Sequence, residues 1–129
     1  MKLLDGALGI HEQALQTRTR RLEVLAQNIA NADTPNYKAR DIDFKAVLAD
    51  VSGQETSMTA TRANHFQVGL PMDVDGMRFR VPFNTALDGN TVEMSVEQAQ
   101  YGKAAADYQA TLSFLENRIN GIRKALRGE

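Results

Sequence analysis

A hydrophobic residue at every third or fourth position along both ends of the chain, with no such rhythm between them, constrains the fold more than any other feature. At the C-terminal end Tyr101, Ala105, Tyr108, Leu112, Leu115, Ile119, Ile122 and Leu126 step by four, three, four, three, four, three and four, the a/d register of a coiled coil. The N-terminal end is looser. Leu8, Leu15, Leu22 and Ile29 recur every seven residues, Leu4, Leu25 and Ala32 fall at the intermediate d position, and His11 and Arg18 are polar gaps. A stripe this narrow buries against one or two long partners, whereas a globular helix carries a wider apolar face. The expected fold is mainly α, with long N- and C-terminal helices paired as a coiled coil around an irregular middle that contains short β-strands.

The N-terminal helix is expected over about residues 8–31, and its stop has a mechanism at each residue. Pro35 cannot continue it, Thr34 is pushed toward extended geometry by the proline, and Asn31 tolerates the left-handed backbone that often closes a helix. A weaker helical stretch, Phe44 to Val51, follows. From Ser52 to Asn90 the chain holds Gly53, Gly69, Gly76, Gly89, Pro71 and Pro82, which argues against long helices there. Met77 to Val81 alternates apolar and charged residues and suits an exposed strand with Met77, Phe79 and Val81 on one face; Met58 to Thr61 is a fainter candidate. Asp88-Gly89-Asn90 reads as a turn. Ser95, with Gln98 three residues on, reads as a capping box opening a C-terminal helix over about 96–127. The segment 32–94 is then the middle of one domain spanning 1–129, in keeping with the usual domain size.

Composition excludes more than it assigns. With 15 basic and 16 acidic residues and a formal charge of −1, bulk electrostatics gives no reason to expect nucleic acid or an anionic membrane as partner. Cysteine is absent, which removes disulfides, thiol catalysis and Cys-ligated metals while leaving the compartment open. Asp5 and Gly6 interrupt the short apolar run after Met1, so no Sec-type signal peptide is expected, and no stretch of about 18 apolar residues offers a bilayer span.

Catalysis finds little support. His11 sits on the helical seam and His65 in the irregular middle, with no Ser or Asp pattern suggesting a triad. Asp73 and Asp75 resemble the start of a calcium loop, but Arg78 and Asn84 stand where the loop needs glycine and glutamate, so a turn accounts for them better. Nucleotide-binding and zinc-protease motifs are missing. No catalytic residue, metal, cofactor or small-molecule substrate is expected. Arg118, Arg123, Lys124 and Arg127 crowd the end of the last helix, where cations complement the backbone dipole. Arg18 falls at a d position, where a charge needs a partner, and a salt bridge to an acidic residue of a neighbouring chain is the expectation.

Asn28, Ala30, Asn31, Thr34, Pro35 and Tyr37 spell a pattern whose local chemistry is only that of a helix end. This stretch resembles the NxANxxTPxY signature of the bacterial flagellar axial proteins, the family of rod, hook and hook-associated subunits. The extension Lys38 to Phe44 is similar to the proximal rod branch, as is Asp88-Gly89-Asn90-Thr91-Val92 just before the C-terminal helix. One departure is Asn36, where the wider family usually has glycine; asparagine also tolerates positive φ. The chain's shortness leaves no room for the large outer domains of hook or distal-rod relatives.

The resemblance implies a mechanical role: subunits stacked helically into the hollow drive shaft that carries torque from the membrane ring to the hook. It implies as partners other copies of the chain, other rod subunits, a basal-body ring and rod adaptor protein, and the flagellar type III export apparatus. The implied location is the periplasmic rod of the basal body, reached from the cytoplasm without Sec. A chain that must thread a narrow channel is expected to show low, noncooperative helicity as a free monomer. Another proximal rod subunit or a generic coiled-coil adaptor protein is the alternative, and the adaptor would share the heptads but not both motifs.

Overall fold

The computed structural model describes residues 2–53 and 76–128. Its elements in chain order are α1 (Lys2–Ala30), β1 (Arg40–Ile42), α2 (Phe44–Gly53), β2 (Met77–Phe79) and α3 (Met94–Arg127). Met58 to Thr61, His65, Asp73 and Asp75 lie outside the described residues. The expected mainly helical architecture, with two long terminal helices paired and short strands between them, is the one observed.

Helix α1 has 29 residues and α3 has 34, roughly 43 and 51 Å at ~1.5 Å per residue. They run antiparallel. The rings of His11 and Phe114 lie 5.3 Å apart, Arg18 reaches Asp107 at 3.2 Å, Arg21 bonds Gln100 at 3.1 Å and Asn28 bonds Glu97 at 3.1 Å, so advancing along one helix retreats along the other. Among these rungs Ala14, Leu25 and Ala104 are buried. The line of contact therefore follows 11, 14, 18, 21, 25 and 28 on α1, and 97, 100, 104, 107 and 114 on α3.

That seam lies one position before the expected one on α3, whereas on α1 it keeps the expected d positions His11, Arg18 and Leu25 and falls one residue before the expected a positions. On α3 the stripe of Tyr101, Ala105, Tyr108 and Leu115 is the residue after each of 100, 104, 107 and 114, about 100° further round the helix. On α1, Leu15, Leu22 and Ile29 likewise follow Ala14, Arg21 and Asn28, while the supposed polar gaps His11 and Arg18 sit inside the contact. Periodicity cannot tell adjacent heptad positions apart when one carries aliphatic side chains and the other carries polar groups that find exact partners.

Arg18 is the clearest consequence. Its expected partner on a neighbouring chain is instead Asp107 of its own α3, and its guanidinium stacks over Phe44 at 4.2 Å. Arg18 Nε remains the buried side-chain polar atom without a hydrogen bond among the described residues.

The helix ends differ from expectation for local reasons. Helix α1 begins at Lys2 rather than near residue 8, because the leucines and alanine of the first turns favour helix and Gly6 and Gly9 cost only about 1 kcal/mol each. At its far end Asn31 does not enter the left-handed region. Its N–H is shared between the Gln27 and Asn28 carbonyls at 3.1 Å each, its side chain donates to Gln27 O at 2.8 Å, and the left-handed residue is Asn36, at φ 59°. Helix α3 starts at Met94, two residues early, and the Ser95–Gln98 capping box does not form. Glu93 is the cap residue, but its carboxylate turns back to accept from the Phe83 and Asn84 amides at 3.1 and 3.2 Å.

Between the long helices, Asp43 caps α2 by accepting from Ala46 N at 3.1 Å, which explains why the Phe44 stretch is helical. Strands β1 and β2 pair antiparallel, Arg40 with Phe79, Asp41 with Arg78 and Ile42 with Met77. Val81 lies beyond β2. Gly76, at φ +68°, leads into β2 so close to α2 that a Cβ would stand 2.3 Å from Val47 Cγ2.

Candidate functional site

Where α1 ends and α3 begins, the two motifs meet and hold one another. Asn90 is buried, and its side-chain amide reaches the carbonyls of Asn31, Ala32 and Thr34 at 3.0, 2.8 and 2.9 Å, the orphan acceptors left by the end of α1. Its own carbonyl oxygen accepts from Val92 N at 2.7 Å. The backbones pair as well, Asn36 N with Asp88 O and Thr91 N with Tyr37 O, each at 3.0 Å, while Thr91 Oγ1 accepts from Ala39 N at 2.8 Å. Gly89 is required at the tightest point. It has φ +77°, and a Cβ there would lie 2.5 Å from Asn36 Oδ1. The motif residues Asn31, Thr34, Tyr37, Asp88, Gly89, Asn90, Thr91 and Val92 are thus one clasp, although 51 residues separate Tyr37 from Asp88.

Asn28 sits deeper, fully buried, with every hydrogen-bonding valence used. Its amide donates to Arg40 O at 2.7 Å and Glu97 Oε2 at 3.1 Å; its oxygen accepts from Arg40 N at 3.1 Å and the Tyr37 hydroxyl at 3.4 Å. Of the remaining motif residues, Ala30 and Pro35 are exposed, so neither joins the clasp through its side chain.

Beside Asn28 lies a charged node that motif reading misses. Arg21 grips Asp41 with two bonds, at 2.9 and 3.1 Å, and Arg80 bonds the same carboxylate at 2.8 Å. The other Nη of Arg80 pairs with Glu97, which is fully buried. Burial pushes the Asp41 carboxyl up, but bonds from Arg21, the Ile42 amide and Arg80 outweigh it and hold the group below the usual carboxylate range. The Arg21 guanidinium is raised, chiefly by its bond to Asp41, against the opposing effect of desolvation. One node therefore ties α1, β1, the residue after β2 and α3 together. The alternation in Met77 to Val81 held a signal for it: the charged face of that segment, Arg78 and Arg80, points to Asp43, Asp41 and Glu97, and the apolar face points outward.

The expected seam residues divide. Leu25 is fully buried within the chain; Leu8, Leu15, Leu22 and Ile29 on α1 and Ala105, Tyr108, Leu112, Leu115, Ile119 and Ile122 on α3 are half-buried; Tyr101 and Leu126 are exposed. Two aliphatic rows thus flank the in-chain contact without being closed over by it. Among the described residues no group of three or more His, Asp or Glu side chains could hold a metal ion, and no helix is long and apolar enough to cross a membrane.

Comparison with known proteins identifies the family. The profile of the family described as Flagella basal body rod protein matches residues 8–38, which covers most of α1 and the first half of the clasp. Flagellar basal body rod protein FlgB of Cereibacter sphaeroides is 49% identical over 122 residues, covering 95% of this chain and 94% of the relative. The FlgB proteins of Aeromonas hydrophila and Escherichia coli K12 are 41% and 40% identical, each across at least 95% of both chains. Identity at that level over at least 94% of both chains settles the matter: the chain belongs to the FlgB family of flagellar basal-body rod proteins and is a structural subunit of the rod, not an enzyme.

Proposed function

We propose that the chain is one axial-protein domain that stacks helically, with its own copies and with other rod subunits, into the hollow drive shaft carrying torque from the membrane ring to the hook. The observation that carries this reading is the division of each long helix into two neighbouring stripes. The stripe that closes the chain on itself is largely polar, and the row beside it, Leu8, Leu15, Leu22 and Ile29 on α1 and Tyr101 to Leu126 on α3, stays half-open to solvent. Such rows gain stability only when another surface covers them, and close-packed side chains between long parallel rods resist sliding and twisting. The clasp fixes the direction in which the chain leaves the helical layer, and so the position of the middle segment between neighbours.

Assembly at the rod brings the finer partners with it: a basal-body ring and rod adaptor protein at the base, and the type III export apparatus through which an incompletely folded chain passes to the periplasm. Low, noncooperative helicity of the free monomer belongs to the same reading, because the outer rows then lack their covering surfaces. Substituting Tyr37, whose hydroxyl holds Asn28, or Pro35 is expected to block rod assembly while leaving expression intact. Electron microscopy of basal bodies from such strains tests this; normal rods and motility would refute it.

A further inference from the structure

Late in α3, Asn120-Gly121 is the chain's one asparagine followed by glycine, the pair in which a backbone amide attacks the preceding side chain most readily because no Cβ shields it. The attack joins Gly121 N to Asn120 Cγ and expels ammonia, leaving a five-membered succinimide. Water then opens the ring at either carbonyl, giving aspartate or, with the main chain rerouted through Cγ, isoaspartate. No cofactor, oxidant or enzyme enters the balance.

The Asp88-Gly89 pair and the Asn120-Gly121 pair are set up oppositely for this chemistry. At the first, Gly89 N donates to Ala86 O at 3.1 Å and Asp88 Oδ1 accepts from Asn90 N at 3.0 Å, so both reacting groups are engaged inside the clasp. At the second, both residues are exposed and nothing stands within 4 Å of where a Gly121 Cβ would be. They line an open cavity of about 490 Å³ with Asn117, Arg123, Lys124 and Arg127. What withholds the nucleophile there is the helix itself, whose bond from each N–H to the carbonyl four residues back ties Gly121 N to Asn117 O. That protection is thin. Glycine is the poorest helix former after proline, α3 ends soon after at Arg127, Leu126 is 80% exposed, and helix ends with few buried contacts open first. Ile119 and Ile122, on either side of the pair, belong to the half-open row.

We propose that Asn120-Gly121 is a self-modification site: the unassembled chain converts Asn120 to aspartate and isoaspartate, and the neighbour that covers α3 in the rod prevents it. The second half rests on the assembly reading above; the first stands on the chain alone. The two products differ in consequence. An aspartate at 120 lies three and four residues before Arg123 and Lys124, where opposite charges on one helix face attract, so it is accommodated. Isoaspartate inserts an extra main-chain carbon and breaks the hydrogen-bond ladder of that turn, which spoils the row of Ile119, Ile122 and Leu126. The chain's competence to assemble is then limited in time.

To test this, purified full-length chain and intact basal bodies are incubated in the same mildly alkaline buffer and digested at acid pH. Mass spectrometry then reads residue 120, with isoaspartate methyltransferase labelling to separate the products. The expected result is progressive conversion of the Asn120 amide to acid in the free chain and an intact amide in rods. Asn120→Gln is expected to abolish the conversion. Asn117→Ala, which alters neither reacting atom but favours helix, is expected to slow it about threefold. Asn120→Asp is expected to enter rods as the parent chain does. A free chain that keeps its Asn120 amide, or a rate indifferent to Asn117→Ala, would overturn the site. Exclusion of Asn120→Asp from rods would overturn the accommodation of aspartate, and equal conversion in rods that contain the chain would overturn protection by a neighbour. Absence of the chain from basal bodies would instead defeat the assembly reading, and the free-chain result would still decide the site.

Discussion

The two ends of the helical pair obey different rules. At the clasp end, Leu25, Asn28 and Glu97 are fully buried, and hydrogen bonds from four chain segments converge within a few residues. Toward the other end the tilted rings of His11 and Phe114 meet across the two helices, and beyond them Leu126 is 80% exposed. One end is specified by exact polar pairing, which fixes register and direction; the other is aliphatic and unfinished, which suits a surface completed by neighbours. Polar pairing alone is a poor source of net stability, because desolvation offsets much of what the charges gain. Its use here is to choose a single alignment of two long helices whose aliphatic rows would tolerate several.

The largest expected effect comes from breaking the exact end at its centre. Glu97→Ala leaves Arg80 and Asn28 without their buried acceptor, and removing one partner of such a pair costs about 3–5 kcal/mol. Helicity in osmolyte-stabilised solution, followed by circular dichroism, is expected to fall sharply, and the variant to be lost from rods. Asn90→Ala comes next. It releases three carbonyls at the end of α1 and one amide before α3, for about 2 kcal/mol, and the change is expected to appear as faster hydrogen exchange around residues 31–37 with the middle of α1 little affected.

A graded loss is expected on acidification. Asp41 has a folded-state pKa below its unfolded value, so its contribution is complete above the unfolded value near ~3.9 and fades as pH falls through the lower folded value. An acid titration of helicity is expected to shift upward in pH for Arg21→Gln, which removes the two bonds holding the carboxylate charged. An unchanged titration would remove Asp41 from the account. The smallest effect on the isolated chain, about 1 kcal/mol, is expected for Leu112→Ser in the half-buried row, yet this variant is expected to fail in rod assembly. Glu97→Ala and Leu112→Ser therefore separate folding from assembly, and equal losses of helicity in the two would erase the distinction.

How much of this was legible in the sequence follows the same division. Regular spacing gave both long helices, the Phe44 helix and the Met77 strand, because a 3.6- or 2-residue period is a property of one segment alone. The turn at Asp88 to Asn90 also followed from local chemistry, and the positive φ of Asn36 from the glycine that the wider family carries there. Which stripe of α3 faces α1 did not, and on α1 the d positions His11 and Arg18 look like defects until Phe114, Asp107 and Phe44 are placed beside them. Strand β1 was hidden for the same reason. Arg40-Asp41-Ile42 has no strand-like alternation by itself and becomes a strand through its partner and through Arg21 and Arg80. Motif resemblance drew attention to both segments, but only geometry shows that Asn90 closes the end of α1, a contact 56 to 59 residues away in sequence.

The claim beneath all of this is that the polar stripe folds the chain and the aliphatic rows join it to others. Cysteine placed at Leu22 or Leu112, on the otherwise cysteine-free chain, can be titrated with a maleimide in intact basal bodies and again after the rods are dissociated in acid and returned to neutral pH. The account predicts protection in the intact rod and rapid labelling after dissociation at both positions. Equal labelling before and after would mean that the rows face solvent in the assembled rod, and the division of labour proposed here would be wrong.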